Sequence, residues 1–145
     1  MSNDLIQHVS AAITSRDMTG LINKIPYANL LGIESLSIGE EFIFKLPKND
    51  DNLGNPRLPA IHGGVMGGFL ETAAALYVMM HADVIKVPKV IDFSIDYIRP
   101  GRHTDSFARC NIVRQGRNIA NVSITAWQAQ EDKPIATARA HFLLC

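Results

Sequence analysis

The chain has 145 residues, 14 basic and 14 acidic side chains that cancel to zero formal charge, and 47% apolar residues. That length suits one domain spanning residues 1–145, with a helical segment over 1–30 and a core over 31–145. Zero net charge, with no basic run longer than isolated pairs, argues against a nucleic-acid partner, since phosphate binding needs an excess of Lys and Arg. Two cysteines, Cys110 and Cys145, are too few for a disulfide scaffold or a zinc knuckle. The start, Met1-Ser2-Asn3-Asp4, lacks the basic region and apolar core of a signal peptide, so the expected location is cytoplasmic.

Leu5, Ile6, Val9, Ala12 and Ile13 recur at helical spacing, with Asn3 or Asp4 available as a cap. A second apolar cluster, Leu21, Ile22 and Ile25, ends at Pro26. From Gly32 the period changes to two, through Ile33, Leu36, Ile38, Phe42, Phe44 and Leu46, with a hairpin or bend near Gly39. Lys48 to Pro59 carries prolines, asparagines and a glycine and reads as a loop. Loops of that length are more often functional than incidental.

Val65 to Met80 is apolar on nearly every side, yet it is shorter than the ~20 residues a membrane span needs and carries Glu71 and Thr72. It therefore reads as a central helix wrapped by a sheet, with no membrane partner. Beyond Val87-Pro88, Ile91, Phe93, Ile95 and Tyr97 alternate with Asp92, Ser94 and Asp96 until Arg99-Pro100-Gly101 stops the strand. Three further strands follow, near 104–114, 118–129 and 134–144. Two strands, a long helix and four strands in meander order predict an α+β fold with an antiparallel sheet curled around the helix.

Glu71 is the residue whose chemistry stands out. Its neighbours three and four positions away are Gly67, Gly68, Ala74 and Ala75, so no cation on the helix pairs with it. It either meets a distant arginine such as Arg99 or Arg139, reaches solvent, or acts as a base or nucleophile in an apolar pocket. Ile61-His62-Gly63-Gly64 leads into the helix. Glycines there leave backbone N–H groups open at the positive end of the helix dipole, the physics of an oxyanion hole. Gly63 and Glu71 are about 12 Å apart along a helix, too far to serve one carbonyl carbon from one chain. If both act, the site combines Gly63 of one protomer with Glu71 of another, which demands a homodimer.

His62-Gly63-Gly64-Val65, Glu71 nine positions after the histidine, the strand ending Tyr97-Ile98-Arg99-Pro100, and Arg114-Gln115-Gly116-Arg117 together resemble the hotdog-fold acyl-CoA thioesterases of the phenylacetate-degradation type. The resemblance runs from about Leu31 to the C-terminus. It implies a sheet around a central helix, active sites at a dimer interface, a homodimer or dimer of dimers, and an acyl-CoA substrate with no separate cofactor or metal. By the same resemblance, Gly63 donates its N–H to the thioester carbonyl, Glu71 activates water or attacks the thioester, and His62 shapes the loop. The family's polar residue six positions before the histidine is Pro56 here, with Asn55 one position earlier. Its serine or threonine after the helix appears as Val90 or a neighbour. Gly64, Arg99, Arg114, Gly116 and Arg117 are placed near the substrate, the arginines toward the phosphates. Rival readings are an acyl-thioester dehydratase or hydratase and a non-catalytic acyl-CoA-binding module. His8, His81, His103 and His141 show no metal-ligand spacing.

Overall fold

A computed structural model describes residues 3–82 and 85–144; the sequence readings on Met1, Ser2 and Cys145 lie outside it. The chain opens with three helices, α1 (Asn3–Ser15), α2 (Thr19–Ile22) and α3 (Pro26–Leu31). In α1 the stripe facing the core is Leu5, Val9 and Ala12, at intervals of four and three. Ile6 and Ile13, one position off that stripe, are exposed. Asn3 and Asp4 sit inside the first turn rather than ahead of it, where the Asp4 carboxylate favours the dipole and meets Lys24 at 3.1 Å. α3 opens on Pro26, whose missing N–H costs nothing at a helix start.

Strands β1 (Glu34–Ile38) and β2 (Glu41–Leu46) form the expected hairpin, turning on Gly39 at φ 61°, a conformation few residues but glycine adopt. β2 buries Phe42, Phe44 and Leu46, but Leu36 and Ile38 are exposed because β1 is the edge of the sheet. The expected featureless loop between Lys48 and Pro59 is partly ordered. It holds a 3-10 turn and a small hairpin of β3 (Leu53–Asn55) and β4 (Ala60–Ile61). Its asparagines build these turns: Asn49 Oδ1 accepts the Asp51 N–H, and Asn55 Oδ1 accepts those of Arg57 and Leu58.

The central helix α4 runs Gly63–His81 and packs against β2, β5, β6, β7 and β8. Phe69, Leu70, Ala73, Ala74, Leu76 and Val78 are fully buried, so the helix is spent on the fold's own core, although it is long and apolar enough to cross a membrane. It is not enclosed all round: Gly64, Gly67, Gly68, Glu71, Thr72 and Ala75 form a partly open stripe of mostly small residues.

The remaining strands are β5 (Pro88–Tyr97), β6 (Ser106–Gln115), β7 (Ile119–Trp127) and β8 (Ala136–Leu144). The six-stranded sheet is antiparallel throughout, in the order β1-β2-β6-β7-β8-β5. This corrects the expected four-strand meander. β6, β7 and β8 do meander, but β5 pairs with β8 at the far edge. The reason is the corner after β5, which crosses the sheet end instead of doubling back. Ile98 and Arg99 donate their N–H groups to the Ile135 carbonyl, and Gln128 clamps Arg102 through its N–H and carbonyl. The chain thus reaches β6 beside β2. A bulge between Val90 and Asp92 breaks the expected alternation, leaving Ile91 exposed while Phe93 and Ile95 pack inward. A curled antiparallel sheet around one long helix is the hotdog architecture the resemblance implies.

Candidate active site

The head of α4 is built by its own capping residue. His62 is the N-cap, at φ −59° and ψ 132°, and its Nδ1 accepts the Gly64 N–H at 2.8 Å. Accepting there leaves the ring proton on Nε2. The Val65 and Met66 N–H groups donate to the His62 carbonyl. Gly63 is left with an N–H that has no hydrogen-bond partner among the described residues. The surroundings hold this turn tightly. A Cβ at Gly54 would stand 2.8 Å from the His62 Cα, and one at Gly63 would stand 3.3 Å from the Tyr97 hydroxyl. That hydroxyl donates to the Gly63 carbonyl at 2.7 Å.

Gly63 lines a cavity of ≈ 380 Å³ whose walls include Ile61, Met66, Tyr97, Arg99 and Ile135. It is mostly apolar, with one free backbone donor at the positive end of a 19-residue helix. Arg99, Pro100 and Ile135 also border a second cleft of ≈ 530 Å³, which carries Arg102, Lys133 and Gln128. Among the described residues no carboxylate lines this second cleft. Glu131, next in the turn, is drawn away to Arg109, and Asp50 is held by His103 at 2.7 Å. A mostly apolar chamber at the open Gly63 N–H therefore borders a basic cleft.

Glu71 lies two turns along α4, half-buried on the open stripe, and does not line the Gly63 cavity. Neither Arg99 nor Arg139 pairs with it. Arg99 donates to the Pro134 carbonyl at 2.6 Å, and among the described residues Glu71 makes no ion pair or hydrogen bond. The sequence argument that it is unpaired on its own helix thus extends to the folded chain.

The other expected residues divide. His62, Gly63, Gly64 and Arg99 come together at one end of the fold. Asn55 is close by, paired with Ala60 across the small hairpin, with its side-chain oxygen used in its own turn. Arg114, Gly116 and Arg117 lie at the opposite end. They line a cleft of ≈ 490 Å³ with Asn121 and His141, and Gly116 and Arg117 also meet His81, the last residue of α4. The length of α4 puts them about 27 Å from Gly63 of the same chain. In that cleft Asn121 Oδ1 and His141 Nδ1 are buried without a hydrogen bond, Asp92 Oδ2 standing 3.4 Å from the latter but misaligned. No group of three His, Cys, Asp or Glu among the described residues is placed to hold a metal ion.

Sequence reasoning gave no role to Tyr97, Arg102 or Lys133. Tyr97 was legible only as the end of an alternating strand. Arg102 and Lys133 are 31 positions apart, joined by a sheet order that no local pattern encodes.

An antiparallel sheet curled round one long helix defines a protein of the hotdog fold. A family model described as the thioesterase superfamily matches residues 58–135, and the chain belongs to that family. The medium/long-chain acyl-CoA thioesterase YigI of Escherichia coli K12 is 26% identical over 155 residues, covering 94% of this chain and 99% of that protein. A crystal structure from Chromobacterium violaceum is 38% identical, covers 96% of this chain and 97% of its own, and superposes with a TM-score of 0.78. The Escherichia coli PaaI protein of the phenylacetic acid degradation operon is 20% identical, covers 92% and 94%, and superposes at 0.77. The chain is a thioester hydrolase whose hotdog fold is shared with PaaI.

Proposed function

We propose that the chain hydrolyses acyl-CoA thioesters to the free acid and coenzyme A at a site shared by two copies of itself. The observation that carries this reading is the open Gly63 N–H at the head of α4, beside a cavity that borders a basic cleft. The thioester carbonyl accepts from Gly63. Glu71 of the opposing protomer takes a proton from water as the water oxygen attacks the carbonyl carbon. The negative charge that develops on the carbonyl oxygen is met by the N–H and the helix dipole. Collapse breaks the C–S bond, and the thiolate leaves with the proton that Glu71 returns. A thiolate departs readily, so the chemistry calls for no cofactor beyond the coenzyme A of the substrate.

Two copies are required because eight helical residues separate Gly63 from Glu71, about 12 Å. Antiparallel packing of α4 on its partner's α4 brings the two within reach, and the open stripe of small residues allows close approach of the backbones. The outer edge of β5 is unpaired among the described residues, and the strand carries exposed Val90 and Ile91, which suits continuation of the sheet into the second copy. The same packing carries the partner's Arg114, Gly116 and Arg117 toward the Gly63 end. Substrate phosphates then lie between that hairpin and the Arg99 corner, where arginine forks and the Lys133 ammonium offer charge-assisted donors. Gly64 keeps the turn narrow, and the Asn55 amide NH₂ remains available to the substrate. Free, buried Cys110 suits a reducing compartment and supports a cytoplasmic location.

The test is free-thiol release across an acyl-CoA panel that starts with medium and long chains, the class named for YigI. Glu71→Gln should reduce turnover by at least about 10²-fold, the range for a lost general base. Undiminished turnover in that variant contradicts the reading. An enoyl product without free thiol selects a dehydratase instead, and saturable binding without turnover selects a binding module.

A further inference from the structure

Glu71 has no partner on its own helix, and a donor from another element lies one turn away, against Gly68. Tyr27, on α3, lies against Gly68. A Cβ at position 68 would stand 2.4 Å from the Tyr27 hydroxyl oxygen and 2.9 and 3.0 Å from its ring carbons. The tyrosine thus fills the space that any other residue at 68 would occupy, and glycine is what admits it. Tyr27 is 46% exposed, and its hydroxyl has no hydrogen bond among the described residues.

Position 68 is three residues before Glu71. Helical side chains lean toward the N-terminus, so a residue covers the turn ahead of its own Cα, and the Glu71 carboxylate covers the turn that Tyr27 touches. Side-chain origins three apart on a helix are ~5–6 Å from each other, a gap that glutamate's two methylenes and carboxylate span. An unpaired phenol and an unpaired carboxylate therefore share one patch of α4, half open to solvent.

We infer that Tyr27 is a positioning residue for Glu71. When the Glu71 side chain swings back over Gly68, the Tyr27 O–H donates to one carboxylate oxygen and turns the other toward the attacking water. This rests on the proposed role of Glu71 and extends it. No proton is consumed in the step; the phenol keeps its hydrogen throughout, and only Glu71 exchanges one with water and thiolate. The pairing also gives the N-terminal helices a part in turnover beyond covering the core.

Tyr27→Phe removes only the oxygen and keeps the ring on Gly68. The expected result is a kcat lowered on the order of 10- to 100-fold, with KM for the acyl-CoA and the thermal midpoint unchanged. Gly68→Ala, which displaces the ring, should lower kcat similarly. Combining Tyr27→Phe with Glu71→Gln should cost no more than Glu71→Gln alone, because the phenol acts through the carboxylate. A Tyr27→Phe enzyme with wild-type kcat overturns the inference, as does a double variant whose losses multiply. If Glu71→Gln is inactive and Tyr27→Phe is unimpaired, only the tyrosine assignment fails. If Glu71→Gln keeps full turnover, the underlying role of Glu71 fails first.

Discussion

At residue scale the decisive group of the proposed reaction is a backbone N–H, which side-chain truncation cannot remove. Proline can. Gly63 is the first helical position, where proline is favoured, and His62 at φ −59° and ψ 132° already has the extended backbone that precedes proline. The added ring meets Tyr97 at about 3.3 Å, and Tyr97, 57% exposed, has room to give. Gly63→Pro should therefore keep the helix by circular dichroism while lowering kcat on the order of 10²–10³-fold, the usual cost of one oxyanion donor. Cys110 offers a second test. Burial pushes its thiol well above the ordinary range, so in a Cys145→Ser background it should resist dithionitrobenzoate until the protein is unfolded. Reaction at the native rate of an open thiol contradicts its burial. His62, Gly63 and Glu71 were legible in the sequence because their settings are local: a cap, a helix start, and the absence of a cation within one turn. Tyr27, Arg102 and Lys133 were not, because each acquires its neighbour across more than 30 residues of chain.

At the scale of elements, the fold depends on α4 filling the sheet. Phe69 is fully buried at its centre, and Phe69→Ala should cost about 3–5 kcal/mol of unfolding free energy in denaturant titration. The junction of β2 and β6 is pinned by Asp105. The Lys48 backbone N–H, at 2.8 Å, and then the Lys45 ammonium, at 3.6 Å, hold its carboxyl below the ordinary carboxylate value. A depressed value means that the stabilisation is complete above the unfolded carboxyl's pKa of about 3.9 and is lost as pH falls through the folded one. Asp105→Asn should accordingly flatten the fall of the thermal midpoint in that acid range, and an unchanged slope contradicts the pairing. Helices α1 and α4 and strands β6, β7 and β8 were legible from period alone, the three strands to within about two residues, whereas the β3–β4 hairpin was not. The place of β5 was not. Alternation says which faces a strand presents and nothing of its neighbour; the crossing of Ile98–Asp105 over Ile135 and Gln128 is a tertiary event. The bulge at Ile91 was hidden for the same reason, since it arises only when β5 is paired with β8.

At the scale of the whole molecule, one chain presents the residues of the proposed site separated from one another. Gly63 and the Arg99 corner stand at one end, Arg114 to Arg117 at the other, and Glu71 faces outward between them. The proposed function reads this as half of a shared arrangement, and mixing two dead variants tests it. Gly63→Pro and Glu71→Gln protomers, unfolded together in equal amounts and refolded, form heterodimers in half of the population. In each heterodimer one of two sites pairs an intact Gly63 with an intact Glu71. Sites shared across the interface predict recovery of about a quarter of wild-type thiol release. Sites contained within single chains predict none, and a mixture no more active than its parents contradicts the central claim.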